Sequence, residues 1–227
     1  VPDPRRDPPR APAARPAPKA VIGRLSLYLR QLESLERRGE ARVSSRSLGE
    51  SLGLNDAQVR KDLANFGQFG YPGIGYHTAE LIPALRQILG IDRSWTAALI
   101  GLGNLGRALL RYRGFRARGF HVSALFDNDP RKVGTTLEKL VVHPIEALPQ
   151  QAAALGLELA ILAVPADSAQ RVADLVAASR IGGILNFAPA ALVVPDTVHV
   201  VAVDLSVQLE QLAYAIRHGR DDISCAG

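Results

Sequence analysis

Cysteine is almost absent from this chain of 227 residues: Cys225, near its end, is the only one. A single thiol builds no disulfide framework within a chain, which fits a reducing cytoplasm. No apolar run approaches the roughly 18 residues of a membrane span, and no basic-then-apolar segment opens the sequence. Neither a membrane helix nor a secretory signal is therefore expected, and the sequence holds no internal repeat. The histidines His77, His121, His143, His199 and His218 are scattered. None has an acid or nucleophile at a telling spacing, and no pair has metal-ligand spacing. No metal site and no catalytic residue is expected.

What the chain does have is charge on one side. Residues 1–90 carry 14 Lys/Arg against 9 Asp/Glu, and residues 91–227 carry 13 of each, so the net +5 lies wholly in the first part. That asymmetry suggests that one part meets a polyanion while the other does neutral work. A solvated, Arg-rich tail is the alternative source of the same imbalance. With 47% hydrophobic residues, the length suits one large or two modest domains.

Residues 1–20 hold seven prolines and almost nothing to bury, so a disordered, weakly basic tail is expected over 1–19. Ile22, Leu25, Leu29, Leu32 and Leu35 then recur at helical spacing, which predicts an amphipathic helix over 20–38. Ser44 and Ser45 can cap a short second helix, and Asn55 can cap a third, DAQVRKDLANF. The glycine-dense FGQFGYPGIGYHT (66–78) reads as a tight hairpin, and a helix from Thr78 to about Leu89 must accommodate Pro83. From Thr96 on, apolar β-type runs at 97–100, 121–126, 159–164, 183–187 and 198–203 alternate with helical stretches. That alternation predicts a parallel sheet flanked by helices, closed by an amphipathic helix over 205–218. The fold class is thus α/β. An N-terminal domain over 20–90 precedes a Rossmann-type domain over 95–204.

Three helices and a glycine hairpin describe a winged helix-turn-helix. On the third helix Val59, Leu63 and Phe66 lie within about 60° of one another and should face a core. The opposite arc carries Ala57, Gln58, Arg60, Lys61, Ala64 and Asn65. Small residues there permit close approach to a major groove, Arg can bond guanine, and Gln or Asn can bond adenine. Ser45, Gln58, Arg60, Lys61, Asn65 and, on the wing, Tyr71 are the candidate DNA contacts. The wing itself lacks Lys and Arg between Gly67 and Tyr76. An ordinary solvated helix face is also rich in Arg, Lys and Gln.

The run GLGNLG (Gly101, Leu102, Gly103, Asn104, Leu105, Gly106) follows an apolar strand and opens a helix. Asp127 ends the next β-type run, 21 residues after Gly106. That context is the dinucleotide fingerprint. Gly101 would allow the tight turn, Gly103 the approach to a pyrophosphate, and Gly106 close packing of helix on strand. The N–H groups at the helix start would meet the anion. Asp127 would bond the adenine-ribose hydroxyls and favour NAD(H) over NADP(H), a preference softened by Arg131 and Lys132. A glycine turn used only for packing is the alternative.

A winged helix joined to such a domain resembles the Rex family of redox-sensing bacterial repressors. The resemblance rests on QVRKDLANFGQFG (58–70), GLGNLG (101–106), FDNDPRKVG (126–134), AVP (163–165) and GILNFAP (183–189). It covers about residues 20–218. It implies a cytoplasmic homodimer that binds a palindromic DNA operator and releases it when NADH, the effector, rises. It places the nicotinamide near Ala163, Val164 and Pro165 and near Asn186, Phe187, Ala188 and Pro189. It makes the last helix domain-swapped onto a partner subunit, and it assigns a switch to Arg30, Tyr112 and Asp204. Two departures stand out. The Tyr71-Pro72 region replaces a wing arginine, and Leu205 stands where some members carry phenylalanine. The competing classes are a small NAD-dependent oxidoreductase with a helical appendage and a CoA-binding module; Asp127 speaks against the latter.

Overall fold

A computed structural model describes residues 17–70 and 73–218. The expected tail up to residue 16, Tyr71 and Cys225 lie outside these described residues. The chain forms two compact units, one reaching Asp92 and the other spanning Arg93–Arg217.

In the first unit, α1 (Lys19–Arg37) turns Val21, Leu25, Tyr28, Leu29, Leu32 and Leu35 inward. The short strand β1 (Arg42–Val43) leads to α2 (Ser45–Glu50), where the Ser44 hydroxyl accepts the Ser47 N–H at 3.0 Å. Helix α3 (Asp56–Ala64) begins the same way, with Asn55 Oδ1 accepting the Gln58 N–H at 2.7 Å. Gly49 lets the two helices meet closely: a Cβ there would sit 2.6 Å from the Leu54 carbonyl oxygen. Strand β2 (Tyr76–His77) precedes α4 (Thr78–Ile88), which holds Pro83 in its second turn. Leu48, Val59, Leu63, Leu81 and Leu85 join the α1 residues in one core.

Among the described residues of 66–78 the expected hairpin is not seen: only Tyr76–His77 is extended there, and it pairs antiparallel with Arg42–Val43 rather than with its own preceding segment. The reason is local. Gly67, Gly70, Gly73 and Gly75 all have positive φ, outside the range of a regular strand. Gly75 also runs against β1 so tightly that a Cβ would lie 2.5 Å from the Val43 carbonyl oxygen. Gly75 thus serves a close crossing with β1 instead of a two-stranded turn. The third helix likewise stops at Ala64, two residues short of Phe66.

The second unit contains β3 (Trp95–Ile100), α5 (Asn104–Arg111), α6 (Arg113–Ala117), β4 (Phe120–Asp127), β5 (Thr136–Leu137) and β6 (Leu140–Pro144). A single 3-10 turn leads into α7 (Leu148–Leu155), β7 (Leu159–Leu162), α8 (Ala166–Ala178), β8 (Gly183–Asn186), β9 (His199–Ala202) and α9 (Leu205–His218). The strand order is β5-β6-β4-β3-β7-β8-β9, parallel except for β5 against β6. Omitting β5, this is the doubly wound order, with its reversal between β3 and β7.

Period-two alternation divides the core. Ala98, Ile100, Ala124 and Phe126 pack with α7 and α8 residues such as Leu148 and Val176. Ala97, Leu99 and Leu125 turn to the other face, against Leu102, Leu109, Leu110 and Phe115. Both faces are covered, which is why these strands read as continuous apolar runs. Helix α9 buries none of its 14 residues, as the short α6 also buries none, and Leu205, Leu209, Leu212 and Ile216 stand exposed at helical spacing along it.

Candidate functional site

The carboxyl ends of β3, β4, β7 and β8 gather Gly101–Gly106, Asp127, Ala163–Pro165 and Asn186–Pro189 around the point where strand order reverses. Backbone bonds fix their relation: Gly101 N–H donates to Phe126 O at 2.9 Å, Ala163 N–H to Ile100 O at 2.8 Å, and Phe187 N–H to Leu162 O at 2.9 Å. Gly101 has φ +90, and a Cβ on it would lie 2.5 Å from Ala163 O. At Gly106 an added Cβ would collide with the Gly101 carbonyl oxygen. Gly103, which starts α5, is exposed and would meet nothing within 4 Å. Two glycines thus close the turn, and the third leaves open space before the helix N-terminus. A bound pyrophosphate needs that arrangement, and the residues fit a dinucleotide.

Asp127 is buried, yet its carboxylate accepts three hydrogen bonds. One oxygen accepts Leu102 N–H at 2.7 Å and Lys132 Nζ at 2.9 Å, and the other accepts Asp129 N–H at 2.9 Å. Burial pushes its pKa up, but the hydrogen bonds from Asp129, Lys132 and Leu102 outweigh it and hold the group below the usual carboxylate range. Asp127 therefore ties the glycine turn to the end of β4. Lys132 balances its charge, while Arg131 pairs with Asp129 at 3.1 Å. Asn186 is also committed: its amide donates to Ala188 O and Ala190 O and accepts Ala188 N–H, shaping the turn that presents Phe187 and the exposed Pro189. Leu102 is buried, while Asn104, Leu105 and Pro165 are exposed and Ala163 and Val164 half-buried.

On α3, Val59 and Leu63 are buried and Ala57, Arg60, Lys61, Ala64 and Asn65 are exposed. Arg60 Nη1 bonds Asp56 at 2.6 Å and Ser45 Oγ at 3.1 Å, so it braces α3 against the start of α2. Ser45 and Arg60 line a cavity of about 540 Å³ with Ala64, Gln68 and the glycines 67, 70 and 75. Gln58, Lys61 and Asn65 do not line it. Gln58 instead sends Nε2 to Asp62 Oδ1 at 2.7 Å.

Asp62 is the residue that sequence reading missed. It is 1% exposed and accepts two bonds from Arg24, at 2.6 and 2.8 Å, and one from the Tyr28 hydroxyl at 2.8 Å, besides that of Gln58. A signal existed: Asp62 sits beside Leu63 on the inward arc, and Arg24 and Tyr28 sit one turn apart on α1. Burial raises the Asp62 pKa, but the bonds from Arg24, Tyr28 and Gln58 bring it below its ordinary value. Burial, followed by the hydrogen bond to Asp62, pushes Tyr28 upward.

The three switch candidates fall in different places. Arg30 is exposed on α1 in the first unit, and Tyr112 and Asp204 are exposed in the second. The Tyr112 ring lies edge-on to Phe115, with centroids 5.1 Å apart, and over Gly114, where a Cβ would strike it. Asp204 caps α9, accepting Ser206 N–H at 2.9 Å and Ser206 Oγ at 2.7 Å, which lowers its pKa. Among the described residues no His/Cys/Asp/Glu group could hold a metal, and no helix is long and apolar enough to cross a membrane.

Two outcomes follow from this geometry. Gly106→Ala forces the α5 backbone away from Gly101, costing roughly 1–3 kcal/mol and abolishing dinucleotide binding. The single tryptophan, Trp95, lies in this unit, so a lowered urea midpoint in its fluorescence checks the first effect and calorimetric titration the second. Asp62, with a lowered folded-state pKa, stabilises the first unit fully above its unfolded value of about 3.9. That stability is lost as pH falls through the folded value. Asp62→Asn loses about 3–5 kcal/mol near neutral pH and shows a shallower decline in acid, read by urea denaturation under circular dichroism at stepped pH.

Residues 17–64 match a family model described as "Putative DNA-binding protein N-terminus", and residues 92–190 match one described as "CoA binding domain". The redox-sensing transcriptional repressor Rex of Carboxydothermus hydrogenoformans is 48% identical over 200 residues, covering 88% of this chain and 96% of that protein. The crystal structure of RSP, a protein of the same family, in complex with β-NAD+ and operator DNA superimposes with a TM-score of 0.85 at 39% identity, covering 88% of this chain and 93% of that one. RSP in complex with β-NADH gives 0.81 at 37%, covering 89% and 95%. These relatives are repressors rather than enzymes. With its doubly wound nucleotide-binding unit and its capped helix-turn-helix, the chain belongs to the Rex family of redox-sensing transcriptional repressors.

Proposed function

We propose that this protein represses transcription in the cytoplasm as a homodimer, occupying a palindromic operator and leaving it when NADH rises relative to NAD+. One observation carries the reading: a phosphate-cradling glycine turn sits in the same short chain as a capped helix-turn-helix. Kinship with proteins solved on operator DNA with β-NAD+, and with β-NADH, supports it.

The domain assignment is residues 1–19 as a tail, 20–90 for DNA, 95–204 for NAD(H) and 205–218 as a helix swapped onto a second copy. The exposed apolar stripe Leu205, Leu209, Leu212 and Ile216 supports the last point, since a lone helix gains nothing by leaving it in water. The N–H groups of Asn104, Leu105 and Gly106 at the start of α5 hold the pyrophosphate, and Asp127 keeps Leu102 in place and meets the adenine ribose. Ala163–Pro165 and Asn186–Pro189 flank the nicotinamide. When bound, NADH supplies no chemistry here, only a difference in affinity between two arrangements of the dimer. Asp204 pairs with Arg30 in the DNA-competent arrangement and with Tyr112 in the other. In the first unit Ser45, Gln58, Arg60, Lys61 and Asn65 face DNA, and Tyr71, outside the described residues, stays a candidate contact.

Retention of palindromic DNA, measured while NADH, NAD+ and CoA are titrated separately, tests the reading. Release by NADH at far lower concentration than by NAD+, and none by CoA, is the expected result. The match of residues 92–190 to a CoA-binding model gives the CoA arm its purpose, and release by CoA alone would overturn NADH as effector. Asp204→Ala should move the NADH concentration for half-release by about 5- to 150-fold; an unchanged value would sink the switch. Lys61 is exposed and has no ion pair among the described residues. If it touches phosphate, Lys61→Ala lowers the salt slope of binding by about one unit for every sequence alike.

A further inference from the structure

Gln58 stands in the first turn of α3, three residues after its cap Asn55, where a groove-seeking helix meets base edges. Its amide is not free to turn. A carboxylate only accepts hydrogen bonds, so the end of Gln58 that faces Asp62 Oδ1 at 2.7 Å must be Nε2. Asp62 cannot move to suit another orientation, because Arg24 grips both its oxygens and Tyr28 holds one. Arg24 also balances the Asp62 charge, which leaves Gln58 as a neutral fourth donor. The Gln58 amide oxygen has no partner among the described residues, and no unpartnered side-chain oxygen there is buried, so it reaches solvent. What Asp62 leaves available is an outward acceptor next to one remaining N–H.

We propose that Asp62 is a positioning residue that locks Gln58 in the orientation that reads adenine and rejects guanine. The acceptor and adjacent donor match the N6–H and N7 of adenine in the major groove. Guanine presents O6 and N7, both acceptors, and sets its O6 against the amide oxygen. A freely turning glutamine would swing its NH2 round to guanine O6; the carboxylate behind it forbids the swing. This inference rests on α3 being the helix that enters the groove.

Selection of sites from randomised palindromic DNA tests it, using wild type, Gln58→Ala, Tyr28→Phe and Asp62→Asn. Wild type should demand adenine at one symmetric position of each half-site. Gln58→Ala should lose that demand there alone, by at least about five-fold in the adenine-to-guanine ratio. Asp62→Asn, whose own amide no longer dictates which end of Gln58 it meets, should show the same relaxation. Tyr28→Phe removes a donor from Asp62 without touching Gln58 and should weaken stability but keep the preference, which a merely structural role for the cluster would not separate. Should Asp62→Asn fail to fold, the side-chain amide signals of Gln58 in the wild type, assigned by their loss in Gln58→Ala, decide the orientation. One of the two protons should exchange markedly slower than those of exposed glutamines. Equal, fast exchange of both would overturn the lock, and identical sites selected by wild type and Gln58→Ala would overturn the reading of adenine. If no palindrome is enriched by any protein, the repressor reading itself fails, whatever the amide signals show.

Discussion

A carboxylate taken out of water must find its donors inside the fold, and in both units that demand falls on the element proposed to meet a ligand. Asp62 and Asp127 are the buried acids among the described residues. Each is costly to bury alone and strongly favourable once surrounded by donors. Asp127 draws the Leu102 N–H, and with it the whole glycine turn, onto the end of β4. Asp62 draws α3 against α1 through Arg24 and Tyr28. Removing either acid therefore disturbs more than stability. It frees the turn that shapes the phosphate cradle, or the helix that carries Gln58, Arg60 and Lys61.

That arrangement explains how a dinucleotide fold works without a reaction. A hydride-transfer site needs a proton donor and a substrate anchor near the nicotinamide. Here the side chains around the strand ends spend their polar groups on the protein itself: Asn186 on its own turn, Asp127 on the glycine loop, Lys132 on Asp127. Such groups are rigid and preorganised, which suits discrimination between two forms of a bound ligand better than it suits proton transfer. On the proposed reading the site's output is a difference in binding free energy between two dimer arrangements, and a few kcal/mol is ample.

Much of this was legible in the sequence, and the misses share a cause. The periodicities of α1 and of β3, β4, β7, β8 and β9 are strong, and serine and asparagine caps mark the starts of α2 and α3 unmistakably. The glycine turn and Asp127 were legible because their spacing is set by local geometry. What could not be read was pairing across distance. The glycine-dense segment was expected to fold on itself, but Tyr76–His77 pairs with a strand more than thirty residues upstream. The small β5–β6 hairpin was invisible because its turn uses Glu138 and Lys139 at positive φ, residues that do not announce such a turn. Gln58 was assigned to the groove and Asp62 to nothing, because only three-dimensional contact shows that one holds the other.

The same contacts bear on how tightly the first unit can hold DNA. Its positive excess is partly committed before any phosphate arrives: Arg24 to Asp62, Arg38 to Glu40, Arg60 to Asp56 and Arg86 to Glu33. Each such pair must be loosened before its arginine neutralises a phosphate, so counterion release yields less than the raw charge suggests. Exposed pairs such as Arg60–Asp56 are easily exchanged, whereas Arg24 is held behind the helix and contributes nothing outward. A modest non-specific term leaves more of the discrimination to the groove, where an oriented amide is worth more than another cation. It also lowers what the effector must overcome. A repressor bound mainly by many free cations would stay on DNA against a coupling of about 1–3 kcal/mol, but one with four of its arginines paired to its own carboxylates is more readily dislodged by it.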